Sequence, residues 1–226
     1  MSLKAIFFDV GGTLVFPDEQ RTLEPLAAKG LKPTSAQLFA AERDAKAALD
    51  RTLLRHAGNG VDKSYWDNYY SALLAQFDLC DDELKQALIR RAQTSSNWTR
   101  LAADTRAVLQ DLAREYRLGI ISNSDGGIAQ LLTQLRIRDL FHSVVDSGVV
   151  GHQKPDPRIF EAALNALGVE PAEALHLGDI YAVDYAGATS VGMKAILMDT
   201  AGVYRHTGLA RVESLGELAS RLAAEL

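Results

Sequence analysis

Short apolar runs alternate with amphipathic stretches over most of this chain. The runs are Ala5–Phe8, Arg117–Ile121, Ser143–Val145, Ala174–Leu177 and Lys194–Met198, each ending against Asp, Ser or Gly. Runs this short and this continuously apolar predict strands buried on both faces. Between them, residues 102–115, 126–136, 157–167, 183–191 and 214–224 carry helical patterning. Strand and helix in alternation predict a parallel sheet with helices on both sides. Helix starts are legible as well. Asp156 precedes Pro157, and Ser214/Glu217 and Thr34/Gln37 have capping-box spacing.

The stretch 17–95 breaks the alternation. It predicts four helices, over 20–29, 34–56, 64–77 and 81–93, and no strand. Leu38, Ala41, Ala45, Ala48, Leu49 and Leu53 recur at helical spacing in the longest of them, and Gly30, Pro33 and Gly58-Asn59-Gly60 punctuate the stretch. The expected architecture is α/β: a Rossmann-like parallel-sheet core from residues 1–16 and 96–226, with an all-helical cap domain at 17–95 inserted after the first strand. The chain is expected to rejoin the sheet near Thr99.

Composition narrows the function classes. At 226 residues the chain has room for one large domain or two small ones. A net charge of -5 without blocks of like charge argues against a nucleic-acid partner. No run approaches the roughly 20 apolar residues that span a bilayer, and the N-terminus does not read as a signal peptide. The single cysteine, Cys80, excludes an intrachain disulfide and fits a reducing, cytoplasmic location. It reads as a small helical residue rather than a thiol nucleophile. Oligomeric state is not legible.

Four segments carry candidate chemistry. Asp9 ends the first run and is followed by Gly11, Gly12 and Thr13. That places a carboxylate at the ligand-binding edge of an open sheet, with glycines that let a ligand approach backbone. Ser122 ends the second strand and leads through Asn123, Ser124 and Asp125 into a helix, where a hydroxyl and free N–H groups suit a phosphate. Lys154 precedes the capped helix and can neutralise an anion held near Asp9 and Ser122. His152 reads as a rim residue. Asp179 and Asp184 follow the strand 174–177; a hard cation such as Mg²⁺ takes one or two carboxylates, which Asp9 and Asp179 can supply, while Asp184 can orient the site or bind the Lys154 ammonium. Singly, each segment also reads as an ordinary turn, cap or exposed lysine. Their joint order along one sheet points to a single site.

That order resembles the haloacid dehalogenase-like hydrolase superfamily, and Lys154-Pro155-Asp156-Pro157 with Gly178-Asp179 through Asp184 looks like its phosphatase branch. The resemblance implies a Mg²⁺-dependent hydrolase of a small phosphorylated metabolite. It makes Asp9 the nucleophile, with Ser122, Lys154 and Asp184 as further catalytic residues. Thr13, Ser122, Asn123 and Lys154 would contact the substrate. Asp9, the Gly11 carbonyl and Asp179 would hold the metal, and the helices of 17–95 would form a mobile cap.

Gly11 departs from the pattern, because phosphatases of this family carry there a second aspartate that serves as general acid. Three readings follow. The first is a phosphatase suited to good leaving groups or borrowing its acid. The second is a phosphonatase, needing a Schiff-base lysine for which Lys29, Lys32, Lys46 and Lys63 are placed by location only, or a 2-haloacid dehalogenase, against which the retained Gly178-Asp179 loop counts. The third is a catalytically weak or idle relative that binds a phosphorylated ligand or a partner. Trp66, Tyr69, Tyr70 and Arg55 are cap-borne; each reads first as a packing or surface residue and second as a ligand contact.

Overall fold

The four residues of the first apolar run are fully buried in a computed structural model, which describes residues 2–55 and 65–224. Side chains alternate across a strand, so Ile6 and Phe8 enter one core while Ala5 and Phe7 enter another. The strands are β1 (Ala5–Phe8), β2 (Val15–Pro17), β3 (Trp98–Leu101), β4 (Arg117–Ser122), β5 (Ser143–Asp146), β6 (Ala174–Gly178), β7 (Lys194–Met198) and β8 (Arg211–Val212). Six form one sheet in the order β5-β4-β1-β6-β7-β8, with every pairing parallel. The α/β architecture with a Rossmann-like parallel core is therefore the one the alternation implied.

Helices α1 (Glu19–Ala28), α2 (Ser35–Arg55), α3 (Tyr65–Ala75) and α4 (Asp82–Ala92) lie between β2 and β3. They pack around a third core that includes Leu26, Leu38, Leu73, Leu74 and Leu88. The helices α5 (Thr105–Leu112), α6 (Ile128–Gln134), α7 (Ser147–Val150), α8 (Pro157–Leu167), α9 (Ala186–Ser190) and α10 (Leu215–Ala224) follow the later strands. Leu109, Leu131 and Leu218 place α5, α6 and α10 on the Ile6/Phe8 face. Ile159, Phe160 and Ala188 place α8 and α9 on the Phe7 face.

The capping signals act as their chemistry requires. Asp156 accepts from the Arg158 N–H at 3.0 Å, with Pro157 opening α8. Thr34 and Gln37 satisfy each other's backbone N–H groups ahead of α2. Glu217 instead reaches one residue further back than a capping box, accepting from the Glu213 N–H at 2.7 Å.

Three strands differ from the sequence expectation. β8 is a two-residue edge too short for a periodic signal. β2 and β3 pair antiparallel as a separate ribbon, Val15 opposite Leu101 and Phe16 opposite Arg100. Near Thr99 the chain thus joins this ribbon, pairing with β2, and not the main sheet. Both connections between the sheet and helices α1–α4 run through the ribbon. Cys80 is exposed and lies outside any helix, just before the Asp81 cap of α4. Lys63 and the Gly58-Asn59-Gly60 break lie outside the described residues, as does the side chain of Arg55.

Phe160 anchors α8 beneath the sheet with its ring against the edge of His176, centroids 5.5 Å apart. Replacing it by alanine is expected to lower unfolding free energy by about 3–5 kcal/mol in urea denaturation. A loss under about 1 kcal/mol would show that this face tolerates a cavity.

Candidate active site

Three neighbouring strands end side by side, and the chain puts a polar group on each end. Asp9 follows β1, Ser122 closes β4 and Asp179 follows β6. The Asp9 N–H donates to the Leu177 carbonyl at 2.8 Å, carrying the β1–β6 pairing one residue past the strand. Asp9, Thr13, Ser122, Lys154, Asp179 and Asp184 are all buried. Six polar residues buried at one sheet edge must satisfy one another or a ligand.

Lys154 is the hub. Its ammonium donates to Asp9 Oδ1 at 2.7 Å and to Asp184 Oδ1 at 2.6 Å. Asp184 Oδ1 also meets His176 Nε2 at 2.9 Å, and Asp184 Oδ2 accepts from the Ile180 N–H at 3.0 Å. Both oxygens of Asp184 are therefore committed to protein partners. The Lys154 backbone is pinned in turn: its N–H donates to Asn123 Oδ1 at 2.7 Å, and its carbonyl accepts from Asn123 Nδ2 at 2.9 Å.

The helical segment reaches the same edge. Lys46 of α2 donates to both oxygens of Asp50 at 2.7 Å. It also donates to the Asp179 carbonyl at 2.9 Å and lies 3.2 Å from Asp179 Oδ2. The Tyr204 hydroxyl bonds the Asp50 carboxylate and accepts from the Tyr181 N–H. Of the four lysines singled out by location, Lys46 comes to the site. Lys29 pairs with Asp81 away from it, and Lys32 is exposed.

Two glycines make this density possible. Gly12 has φ +75°, and a Cβ there would lie 2.4 Å from Asp179 Oδ2. At Gly178 a Cβ would fall 2.2 Å from Asp184 Cγ. Gly11 borders an aromatic wall: its Cβ would lie 3.2 Å from the Trp98 ring. Trp98 donates through Nε1 to the Ala92 carbonyl at 2.7 Å. It meets Trp66 with ring centroids 6.2 Å apart, and Tyr69 and Tyr70 pack on Trp66 in turn. These aromatics of the helical segment thus pack on one another.

The electrostatics follow from burial. Burial drives Asp9 up to about 7, with Asp184 and Asp179 adding and Lys154 opposing. Burial also raises Asp179, against the pull of Lys46. Asp184 is buried too, but Lys154 and His176 outweigh that and hold it well below the usual carboxylate range. Burial works against a charged Lys154 and a charged Lys46, yet their carboxylate partners win and both stay firmly protonated. His176 is pushed down by burial and by Lys154. A neutral His176 facing an ionised Asp184 carries its proton on Nε2.

Some expected contacts take a different form. Four of the N–H groups at the start of α6 are not free for a phosphate. Gly126 and Ile128 donate to Asp146 at 3.1 Å, Gly127 to Asp125 at 3.0 Å and Ser124 to Ser147 at 2.9 Å. Asp146, closing β5, is a better intramolecular acceptor than the loop was expected to meet. Asn123 spends its side chain on Lys154. Thr13 Oγ1 is buried with no partner among the described residues, which leaves it open to a ligand. His152 is half-buried at the rim.

His176, Asp50, Tyr204 and Trp98 escaped the sequence reading. The Lys46–Asp50 pair had a signal in its i,i+4 spacing. His176 had one as the polar member of an apolar strand that ends in the acidic loop.

Asp9 also makes stability depend on pH. Between about 4 and about 7 the folded carboxyl keeps a proton that the unfolded one has lost, so stability falls as pH rises through that window. Glu42 and Asp50, raised by burial to about 7 and about 6, act in the same sense. In urea titrations of metal-free protein, Asp9→Asn should fall less steeply than wild type. Parallel slopes would contradict the raised Asp9.

The family model for haloacid dehalogenase-like hydrolases matches residues 3–192. Haloacid dehalogenase-like hydrolase domain-containing protein 3 of Mus musculus is 46% identical over 85 residues, which span 38% of this chain and 34% of that protein. Glyceraldehyde 3-phosphate phosphatase of Methanothermobacter thermautotrophicus is 31% identical over 209 residues, covering 88% of this chain and 86% of the relative. The crystal structure of a HAD phosphatase from Thermococcus onnurineus superposes with a TM-score of 0.60 at 26% identity, covering 97% of this chain and 98% of that one. The chain belongs to the haloacid dehalogenase-like hydrolase family.

Proposed function

We propose that this hydrolase is a Mg²⁺-dependent phosphatase of a small phosphorylated metabolite, with Asp9 as its nucleophile. The observation that carries the reading is the buried Asp9–Lys154–Asp184 array, which holds an ammonium against the one carboxylate placed to attack. The phosphatase name of the archaeal relative points the same way. Helices α1–α4 act as the cap over the site, with residues 1–16 and 96–226 as the core domain.

The donor set suits a hard divalent cation. If all are ionised, Asp9, Asp50, Asp179 and Asp184 face only Lys46 and Lys154, a deficit of two positive charges. Burial is the main cause that raises Asp9 and Asp179, and the neighbouring carboxylates add to it. The ion pairs use Asp9 Oδ1 and Asp179 Oδ2, which leaves the other oxygen of each to a cation. No group of three or more His, Cys, Asp or Glu suited to a metal occurs among the described residues, so the Gly11 carbonyl, substrate and water would complete the shell. Bound there, Mg²⁺ supplies charge stabilisation to the phosphoryl oxygens.

The protein's own groups do the rest. Asp9 attacks phosphorus, forming an aspartyl phosphate as the bond to the leaving oxygen breaks, and water later releases phosphate and restores Asp9. Lys154 balances charge on the transferring group, and Asp184 and His176 hold Lys154 in line. Ser122 and Thr13 offer hydroxyls to the phosphoryl oxygens.

Position 11 has no proton to give. Trp98 does not replace it, because its N–H is committed to Ala92. The site therefore favours leaving groups that depart as stable anions, such as aryl and acyl phosphates. A Schiff-base route through Lys46 is disfavoured: imine formation needs a neutral amine, and Asp179 and Asp50 hold Lys46 as ammonium.

Two outcomes test this reading. With Mg²⁺, p-nitrophenyl phosphate should turn over at least about 10³-fold faster in wild type than in Asp9→Asn, the scale expected for loss of a nucleophile. Equal rates would leave an idle binder. Gly11→Asp alone should not raise turnover of alkyl phosphates, since Trp98 stands against the new side chain. Paired with Trp98→Ala, it should raise it by up to about 10²-fold. A full gain from Gly11→Asp alone would show that Trp98 moves aside freely.

A further inference from the structure

Lys46 is a cation that the helical segment brings to a carboxylate of the sheet. An ammonium has three donors. Here the two oxygens of Asp50, the Asp179 carbonyl and Asp179 Oδ2 take up all three. Lys46 therefore has nothing left for substrate. What it does is tie α2 to the loop after β6, through the carboxylate that the proposed Mg²⁺ would share.

We propose that Lys46 is a built-in counter-ion that competes with the divalent cation for Asp179 and so links cation binding to the docking of α2. The inference rests on the Mg²⁺ reading above. Two cations on the two oxygens of one buried carboxylate repel strongly. Metal on Asp179 thus weakens the Lys46 contact, and by reciprocity the Lys46 contact weakens metal binding by the same factor. Asp50 makes the exchange workable. An ammonium displaced from Asp179 keeps both oxygens of Asp50, itself held by Tyr204, and is not stranded without a partner. The helical segment is in this way held down on the metal-free site and loosened by the ion that prepares the site for substrate.

Calorimetric titration of Mg²⁺ into the full chain tests this, with hydrogen exchange of the α2 amides as a second readout. Lys46→Met should bind Mg²⁺ on the order of tenfold more tightly than wild type, from relief of cation–cation repulsion across a few ångströms. Lys46→Arg, which keeps the charge, should stay near wild type. Mg²⁺ should speed α2 exchange in wild type and leave it unchanged in Lys46→Met. Should Lys46→Met fail to fold with Asp50 unpaired, Lys46→Met/Asp50→Asn carries the same expectation. Equal or weaker binding in the folded variant, or wild-type α2 exchange indifferent to Mg²⁺, overturns the competition and leaves the metal reading standing. Binding to none of the proteins overturns both.

Discussion

An ammonium group with 1% of its side chain exposed, as Lys154 has, survives in a protein interior only when its charge is met at close range. Asp9 and Asp184 meet it, Asn123 fixes its backbone, and His176 and Ile180 fix Asp184. Asp9 and Asn123 come from the ends of β1 and β4, and His176, Ile180 and Asp184 from β6 and the segment that follows it. The sheet order β4-β1-β6 is what brings them together, and the small residues at Gly12 and Gly178 are what let them approach. Removing one partner of such an array strands a buried charge, so the site and the sheet edge stand or fall together.

The array is also incomplete. Its carboxylates outnumber its cations, and burial raises Asp9 to about 7, with Asp184 and Asp179 adding to the shift. A carboxylate raised in this way is favoured in its ionised form by an added positive charge. This is an electrostatic reason for a metal that does not depend on family resemblance. At position 11, where an acid would complete phosphatase chemistry, an aromatic ring crowds the backbone instead. Gly11 borders a packed aromatic surface that runs from Trp98 through Trp66 to Tyr69 and Tyr70.

Much of this was legible in the chain. The strands of the main sheet other than β8 announced themselves as apolar runs, because strands buried on both faces tolerate few polar residues. Asp9, Ser122, Lys154, Asp179 and Asp184 stood at strand ends or before a capped helix, where local spacing marks them. The ribbon of β2 and β3 was not legible. Its pairing joins residues more than eighty positions apart in sequence, and its strands contain Pro17 and Arg100. His176 looked like an anomaly in an apolar strand until Asp184 folded over it. Lys46 differed from other helical lysines only by what lies across from it, and Trp98 became meaningful only once Gly11 was seen against it. Local chemistry is written locally, whereas long-range partners are fixed by topology.

The most direct measurement is peptide mass mapping of the protein quenched in acid during turnover of acetyl phosphate or p-nitrophenyl phosphate with Mg²⁺. The account predicts a phosphoryl adduct on Asp9 in wild type, absent in Asp9→Asn. Turnover with no adduct on Asp9, or with the adduct on another residue, would contradict it.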